Sequence, residues 1–342
     1  MKLLVLGGTA FVGRAVVTEA LERQYRVTTF NRGRTGTPLP GVETVYGDRT
    51  RPADLEALAG RNWDAVVDTW SDAPRHAGVC ARLLAGVVGH YGYVSSRSVY
   101  RWPLPVGADE SAPVIDAQPD ADHTEYPADK RGAELAILDG YGDALLARAG
   151  LILGPHEDVG RLPWWLRRVA AGGDVLAPGP PDLALQYIDA RDLAAWMLDC
   201  AARGITGPYN LVSAPGHTTT MGLLTACRDA TGGAATFVWV DPEFVLAHGV
   251  EPWTELPVWV PPDSEYVGLH RADTSAALAT GLRCRPVAET VTDTWDWLLG
   301  TGEPPLRERE GVPPPGLDPA KERRVLDAWR SAPVPYGAGR GH

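Results

Sequence analysis

The sequence predicts an α/β protein built on a doubly wound parallel sheet. A short apolar run opens the chain and ends at a glycine turn, segments of strand length then alternate with segments of helical spacing, and polar residues follow several of the strands. Parallel strands need crossover connections, so this alternation predicts helices on both faces of the sheet. Tryptophans among prolines and acidic residues between 241 and 273 predict a smaller, irregular lobe near the C-terminus.

The first element is the stretch MKLLVLGGTAFVGR. Residues 2–6 have strand length, helical spacing begins at residue 11, and the turn between them reads G-x-x-A-x-x-G. Glycine permits a backbone that brings main-chain N–H groups to a pyrophosphate at the helix N-terminus. We therefore predict a dinucleotide site, with an ordinary turn after a buried strand as the alternative. Its residues are Gly7, Thr9, Ala10, Phe11, Val12 and Gly13.

A second strand, predicted over 26–30, ends in the polar sequence NRGR. At this position a carboxylate would bond a free ribose 2′-hydroxyl, whereas a guanidinium would pair with a 2′-phosphate. Asn31, Arg32 and Arg34 therefore favour NADP(H) as cofactor, with NAD(H) as the alternative. The competing interpretation is that these arginines are only solvated loop residues.

Two further strands are predicted over 43–46 and 64–69, with helices at about 52–58 and 77–88. Asp48, with Arg49 beside it, follows the third strand and could reach the adenine. Thr69 ends the fourth strand and could reach the middle of the cofactor. Capping of a helix is an equal alternative for these side chains.

The fifth strand, predicted over 91–95, runs directly into Ser96. Open parallel sheets bind ligands at the carboxyl ends of their strands, so Ser96 is a candidate for chemistry as well as for a turn. A proline-rich polar segment over 101–122 follows and is predicted to be a loop near the site.

A helix is predicted over 124–139, with Thr124 as its N-cap. Tyr126 and Lys130 are four residues apart and share one face of this helix. An ammonium group stabilises the ionised form of a nearby phenol, which can then act as a general acid or base. Together with Ser96 they would form a catalytic triad. The alternative is an exposed Tyr–Lys pair on an amphipathic helix.

Predicted strands and helices continue to alternate in the rest of the chain. A sixth strand is predicted over 143–147, an extended segment over 151–155 and another strand over 183–189, with helices from 164 and over 191–202, 221–230, 274–281, 288–299 and 320–329. Residues 302–315 are expected to be a linker or surface wrap, and residues 331–342 to fray. The predicted domains are an NADP-binding domain (1–160 with parts of 183–215), a substrate-binding lobe (161–182 and 216–300) and a C-terminal extension (301–342).

Several motifs together resemble one family. They are the glycine turn, Ser96 four residues before Tyr100, Tyr126-x-x-x-Lys130, Arg148 with Gly154-Pro155, and Gln186-Tyr187-Ile188-Asp189-x-x-Asp192. From residue 1 to about residue 300 the chain resembles the extended short-chain dehydrogenase/reductase family, also called the NAD-dependent epimerase/dehydratase family. The resemblance implies a Rossmann domain with a smaller C-terminal substrate-binding lobe.

The resemblance also implies roles for individual residues. Tyr126 is similar to the catalytic acid/base, Lys130 to the residue that binds the nicotinamide ribose and tunes the tyrosine, and Ser96 to the hydroxyl that orients the substrate carbonyl. Residues around Gly150 and Ile152 would pass near the nicotinamide.

Three departures from the family pattern qualify these expectations. Ala10 replaces the middle glycine, Ala149 stands where a proline is frequent, and Arg97-Ser98 stands where nucleotide-sugar dehydratases carry Asp-Glu. The last departure argues against dehydration. The sequence GGT-x-F-V-G with the Asn-Arg pair also resembles the atypical branch, some of whose members bind RNA without redox chemistry and generally lack the full triad.

The predicted function is an NADP-dependent reductase that transfers hydride between the nicotinamide and a carbonyl or secondary alcohol. A nucleotide-sugar epimerase with retained NAD(P) and a non-catalytic binding protein are the alternatives. Indole groups suggest a flat or apolar substrate, although each of these side chains could equally pack in the core. The candidate substrate-binding residues are Ser98, Trp164, Trp165, Gln186, Trp253 and Trp259.

Composition limits the partners. A net charge of −11 disfavours nucleic acid and anionic membranes, which attract clustered Lys and Arg. The sequence contains no apolar run that could span a bilayer and no metal-type cysteine spacing. We expect four reduced thiols, no metal, a cytoplasmic protein with a small-molecule substrate, and a homodimer as the usual family arrangement. The cysteines are Cys80, Cys200, Cys227 and Cys284.

Overall fold

The computed structural model describes residues 1–302, 306–307 and 313–332. The strands are β1 (Lys2–Leu6), β2 (Arg26–Asn31), β3 (Glu43–Tyr46), β4 (Ala65–Asp68), β5 (Tyr91–Ser96), β6 (Leu145–Ala149), β7 (Ile152–Leu153), β8 (Gly173–Pro178), β9 (Ala184–Leu185), β10 (Ile188–Asp189), β11 (Gly207–Leu211), β12 (Thr218–Thr219) and β13 (Ala235–Val240).

The helices cover both faces of the sheet and build the second half of the chain. They are α1 (Phe11–Glu22), α2 (Pro52–Leu55), α3 (Pro74–Leu84), α4 (Tyr126–Gly140), α5 (Arg161–Ala170), α6 (Ala190–Arg203), α7 (Thr220–Thr231), α8 (Pro242–Ala247), α9 (Ser275–Ala279), α10 (Val287–Thr301) and α11 (Pro319–Ser331), with 3₁₀ turns at Glu56–Leu58, Arg97–Val99 and Val267–His270. None of these helices is both long and apolar enough to cross a bilayer.

The central sheet has seven parallel strands in the order β3-β2-β1-β4-β5-β6-β11. Alternate residues of β1 face opposite sides, as the pleat requires. Leu3 and Val5 pack with α1 and α6, whereas Leu4 and Leu6 pack with α3 and α4. The predicted doubly wound Rossmann sheet is therefore confirmed.

A second core lies C-terminal to this sheet. The parallel pair β8–β13 packs with α5, α7, α10 and α11 around buried leucines, valines and tryptophans. Neither β8 nor β13 was predicted, and β11 was also missed. The predicted strand over 183–189 is instead two short strands, β9 and β10, separated by Gln186 and Tyr187.

Several boundaries differ from the predictions, and those of β6 and α4 have a visible physical cause. Strand β6 covers Leu145–Ala149 because these residues are all buried, whereas Asp143 is exposed. Thr124 does not cap α4: its N–H and hydroxyl both donate to Asp129 at 2.9 Å, and the residue before the helix is Glu125. The predicted linker and frayed terminus fall partly on residues 303–305, 308–312 and 333–342, which lie outside the described residues.

Candidate active site

The glycine turn between β1 and α1 is closed tightly against its neighbours. Gly7 and Gly8 have positive φ angles of 120° and 100°, which favour glycine. A Cβ on Gly7 would lie 2.5 Å from Oγ1 of Thr69, and one on Gly13 would lie 2.6 Å from the backbone nitrogen of Gly8. Ala10 has an extended backbone, with φ −124°, so alanine is accommodated there without strain.

The N-terminus of α1 fits a dinucleotide pyrophosphate. Its first turn contains no acidic residue, and Ala10 makes no side-chain capping bond to the N–H groups of this turn. Such uncapped N–H groups, together with the helix dipole, favour a bound anion. The residues predicted for the pyrophosphate, including Thr9, Phe11 and Val12, surround this helix end. Thr9 also contacts Thr35, with 3.1 Å between their hydroxyl oxygens.

The carboxyl end of β2 is polar and basic. Asn31 accepts a hydrogen bond from the N–H of Gly33 at 2.9 Å, which holds the turn that carries two exposed arginines. Although burial opposes it, hydrogen bonds from Thr50 and the charges of Arg32 and Arg34 lower the pKa of Asp48. Asp48 and both arginines therefore lie together at this edge of the sheet.

Arg49 is buried and paired with a carboxylate. Its guanidinium is buried and donates to both oxygens of Asp68, at 2.9 and 3.1 Å, while lying 4.7 Å from the ring centroid of Trp70. The hydroxyl of Tyr91 donates to the same carboxylate at 2.7 Å. Arg49 is thus part of a buried ion pair. Thr69, which follows β4, donates to the carbonyl of Leu6 at 3.0 Å.

Ser96 ends β5 and is largely buried. Its hydroxyl donates to Oγ of Ser98 at 3.0 Å and accepts from the N–H of Ser98 at 3.1 Å. The two predicted serines therefore form one polar unit at the carboxyl end of the strand. Gly150 lies at the same edge because Ser96 pairs with Ala149 across β5 and β6. Ile152, partly buried, begins β7 directly afterwards.

Tyr126 and Lys130 are both on α4, and Tyr93 is their shared neighbour. Tyr126 opens the helix and is 39% exposed, whereas Lys130 is buried. Nζ of Lys130 donates to the carbonyls of Trp70 and Val94 at 2.6 and 2.7 Å and lies 4.8 Å from the ring centroid of Tyr93. Burial is the main cause that raises the pKa of Tyr93, and the charges of Asp68 and Tyr126 contribute to it.

Burial lowers the pKa of Lys130 to about 7, against the opposing field of Asp68. Between pH 7 and about 10.5 the unfolded chain therefore binds more protons at this group than the folded protein does. Stability consequently rises with pH across this window. Lys130→Met removes the titrating amine. As the pH rises through this window, the unfolding free energy of wild type should therefore increase relative to that of the variant by a few kcal/mol, at about 1.4 kcal/mol per pKa unit.

Urea denaturation of both proteins from pH 6.5 to 10 measures this difference. Lys321→Met is the matched control, since Lys321 is paired with Glu255 and lies at the surface of α11. Parallel stability curves for wild type and Lys130→Met would contradict the depressed pKa.

A buried carboxylate fixes the helix that carries Tyr126 and Lys130. Glu134, one turn after Lys130, accepts from the hydroxyl of Ser95 at 2.6 Å and from Nε and Nη2 of Arg148 at 2.9 and 3.0 Å. Arg131 donates to it as well, at 2.8 Å. This network joins α4 to β5 and β6. The sequence analysis missed Glu134, although its position four residues after Lys130 places it on the same helical face.

Arg97 joins the active-site turn to the C-terminal half of the chain. It is buried, and its Nη1 and Nη2 donate to the carbonyls of Leu269 and Gly268 at 2.6 and 3.2 Å. Burial lowers the pKa of Arg97 to about 10. At the position where nucleotide-sugar dehydratases carry an acidic residue, this chain therefore has a buried arginine that holds two main-chain carbonyls.

Three predicted substrate-binding residues lie in the core. Trp165 and Trp259 are 1% and 2% exposed. The side-chain amide of Gln186 is fully occupied, because its Nε2 donates to the carbonyls of Ser213 and Ala272 and its Oε1 accepts from the N–H of Ala272. All three side chains are therefore packed among protein atoms.

The other two predicted tryptophans are partly buried. Trp164 lies against Trp165, with 4.7 Å between ring centroids, and its indole contacts Gly316. Trp253 lies 4.8 Å beneath the guanidinium of Arg161, at the start of α5. Both therefore remain candidates for the substrate side of the site.

Comparison with known proteins agrees with this geometry. Residues 3–211 match the model of the NAD dependent epimerase/dehydratase family. The chain belongs to this family. The resemblance noted in the sequence is thereby confirmed.

Two curated relatives of this family member are reductases. The chain is 30% identical over 220 residues to 2′-dehydrokanamycin reductase of Streptomyces kanamyceticus, covering 60% of each protein. It is 32% identical over 222 residues to 2-alkyl-3-oxoalkanoate reductase of Stenotrophomonas maltophilia, covering 58% of this chain and 64% of the relative. The match thus spans about three fifths of each relative's length.

Similar solved structures include enzymes with bound NAD. The Bordetella bronchiseptica enzyme WbmH in complex with NAD⁺ matches with a TM-score of 0.66 at 17% identity, over 88% of this chain and 99% of that one. The Thermus thermophilus UDP-glucose 4-epimerase complex with NAD matches with a TM-score of 0.61 at 20% identity, over 86% and 99%. At these identities the likeness establishes the fold.

Proposed function

We propose that this enzyme is an NADP-dependent reductase that transfers hydride between the nicotinamide and a carbonyl or secondary alcohol of a small organic substrate. The observation that supports the proposal is that Lys130, on the same helix as Tyr126, donates to the carbonyl of Val94 in β5, the strand that ends at Ser96. The two reductases among the curated relatives support it.

Each of these three residues would have a separate role in the reaction. The hydroxyl of Ser96 would exchange its bond to Oγ of Ser98 for one donated to the substrate carbonyl. Tyr126 would exchange the proton with that oxygen, and its partial exposure lets the phenol recover a proton from water. Lys130 would hold the nicotinamide ribose and, when protonated, lower the energy of the phenolate. The nicotinamide, when bound, supplies the site of hydride transfer.

The cofactor would extend along the carboxyl edge of the sheet. The uncapped α1 N-terminus would hold the pyrophosphate, Thr69, Gly150 and Ile152 would border its nicotinamide half, and the exposed end of β2 would hold the adenosine. Because Asn31 rather than a carboxylate ends β2 and two arginines follow, the preference would be for NADP(H).

The double variant Arg32→Ala/Arg34→Ala should weaken NADPH binding about 10–100-fold and leave NADH binding unchanged, since it removes charged hydrogen bonds to a 2′-phosphate. Fluorescence titration with both nucleotides measures the two affinities. Arg26→Ala, at the opposite end of the same strand, is the control and should bind both nucleotides as wild type does. Equal losses for NADPH and NADH would contradict the preference.

The function itself is tested with purified protein, NADPH and a panel of ketones and aldehydes. The reduced nicotinamide should be consumed in proportion to alcohol formed. An epimerase is the second candidate, favoured by the epimerases among the similar structures. It would retain tightly bound nucleotide through purification and turn over nucleotide sugars without net change in nicotinamide absorbance. A protein that binds neither nucleotide would overturn both and leave a non-catalytic binding role.

Four broader expectations accompany this proposal. The domain division would place cofactor binding in 1–160 with parts of 183–215, and the substrate lobe in 161–182 and 216–300. The partner would be a small molecule rather than nucleic acid, in keeping with the net charge of −11. Homodimer formation and a cytoplasmic location stay predictions.

A further inference from the structure

Two residues of the C-terminal extension return to the loop that follows β7. The backbone N–H of Arg307 donates to the carbonyl of Asp158 at 2.7 Å, and its guanidinium bonds the carboxylate of Asp158 through Nε and Nη2 at 2.8 to 3.1 Å. Leu306 packs on Gly160, where an added Cβ would lie 2.8 Å from its Cδ2. Arg307 is therefore held by both main chain and side chain.

This loop, residues 154–160, lies at the edge of the sheet that carries the catalytic residues. It directly follows β7, which in turn follows β6, the neighbour of the strand that ends at Ser96. The charge of Arg307 also reaches Lys130: after burial, which is the main cause, it contributes to the lowered pKa of that amine. An arginine from far outside the region of the family match is thus attached to a loop at this edge of the sheet.

The pair with Asp158 leaves one side of the guanidinium available. Asp158 occupies Nε and Nη2, and within the described part of the chain no residue accepts from Nη1. The side chain of Arg307 is 41% exposed, whereas that of Asp158 is 19% exposed. A guanidinium clamped along one edge loses little further freedom when its other edge binds a ligand.

We propose that Arg307 binds the substrate and that the substrate is a carbonyl compound bearing a carboxylate. The carboxylate would accept hydrogen bonds from Nη1 of Arg307 while the carbonyl lies between Ser96 and Tyr126. Asp158 already neutralises one unit of positive charge beside the site, which suits a monoanion better than a phosphate dianion. This inference rests on the proposed reductase function and names its substrate class.

Paired substrates test the proposal: a series of oxo-carboxylates and their uncharged methyl esters, reduced with NADPH by wild type, Arg307→Gln and Arg307→Lys. Wild type should prefer the acids. Arg307→Gln should lower kcat/KM for the acids about 10–100-fold, mainly through KM, and leave the esters unchanged. Arg307→Lys should recover part of the loss. Arg330→Gln, an exposed arginine paired with Asp174, is the matched control.

The outcomes separate the two proposals. Equal losses for acids and esters, or a wild-type preference for esters, would overturn the role of Arg307 while leaving the reductase function in place. If no carbonyl compound is reduced, the proposed function fails, and binding is then measured without turnover. Calorimetry with the cofactor-loaded protein compares an unreactive hydroxy-carboxylate with its methyl ester. The inference would be overturned independently if the acid does not bind, or if it binds Arg307→Gln as tightly as it binds wild type.

Discussion

Tyr126→Phe is expected to lower kcat for carbonyl reduction by roughly 10²–10⁴-fold, the range typical for loss of a general acid or base. The substitution removes one oxygen from a residue that is 39% exposed, so the fold should be preserved. Steady-state kinetics with NADPH and the best carbonyl of the panel measure the loss, and circular dichroism checks the fold.

Tyr141→Phe is the matched control for this variant. Tyr141 directly follows the last residue of the same helix, and its hydroxyl donates to the carbonyl of Val88, at the opposite end from Tyr126. Its kcat should match that of wild type. Full turnover by Tyr126→Phe would mean that the proton comes from another group.

Glu134→Ala is expected to destabilise the protein by about 3–5 kcal/mol, because it leaves the buried guanidinium of Arg148 without its partner. Removal of a single partner is costly in such pairs, since the remaining charge stays desolvated. Urea denaturation at pH 7 measures the change. Glu134→Gln, which keeps hydrogen-bonding atoms without the charge, should lie between the alanine variant and wild type.

Glu43→Ala provides the comparison for an exposed pair. Glu43 bonds Arg61, and its side chain is 57% exposed, so its loss should cost about 0–1 kcal/mol. Similar losses for Glu43→Ala and Glu134→Ala would show that the network beneath α4 contributes no more than an exposed ion pair.

The elements around the catalytic residues could be predicted because their signals are local. Each of these signals can be recognised within a dozen residues: the glycines at residues 7, 8 and 13, the apolar runs of the central strands, and the spacing of Tyr126 and Lys130. Strands β8 and β13 were missed because they pair across about sixty residues of sequence. The residues next to each strand therefore carry no local signal of this pairing.

Side-chain environments were harder to predict than elements. Adjacent tryptophans on a helix must face different ways, but only the tertiary packing decides that Trp165 enters the core while Trp164 contacts the C-terminal extension. Arg49 was assigned to the cofactor because it follows a strand at the binding edge. Its partner, Asp68, lies on a strand that is not adjacent to its own, and this pairing becomes visible only in three dimensions.

The attachment of Arg97 has an evolutionary consequence. Because this cation bonds two main-chain carbonyls, the side chain at residue 269 can change among relatives without disturbing the turn Arg97–Val99. The neighbouring position has no such freedom, since any side chain on Gly268 would overlap the carbonyl of Leu104. Adjacent residues in one short turn should therefore diverge at very different rates.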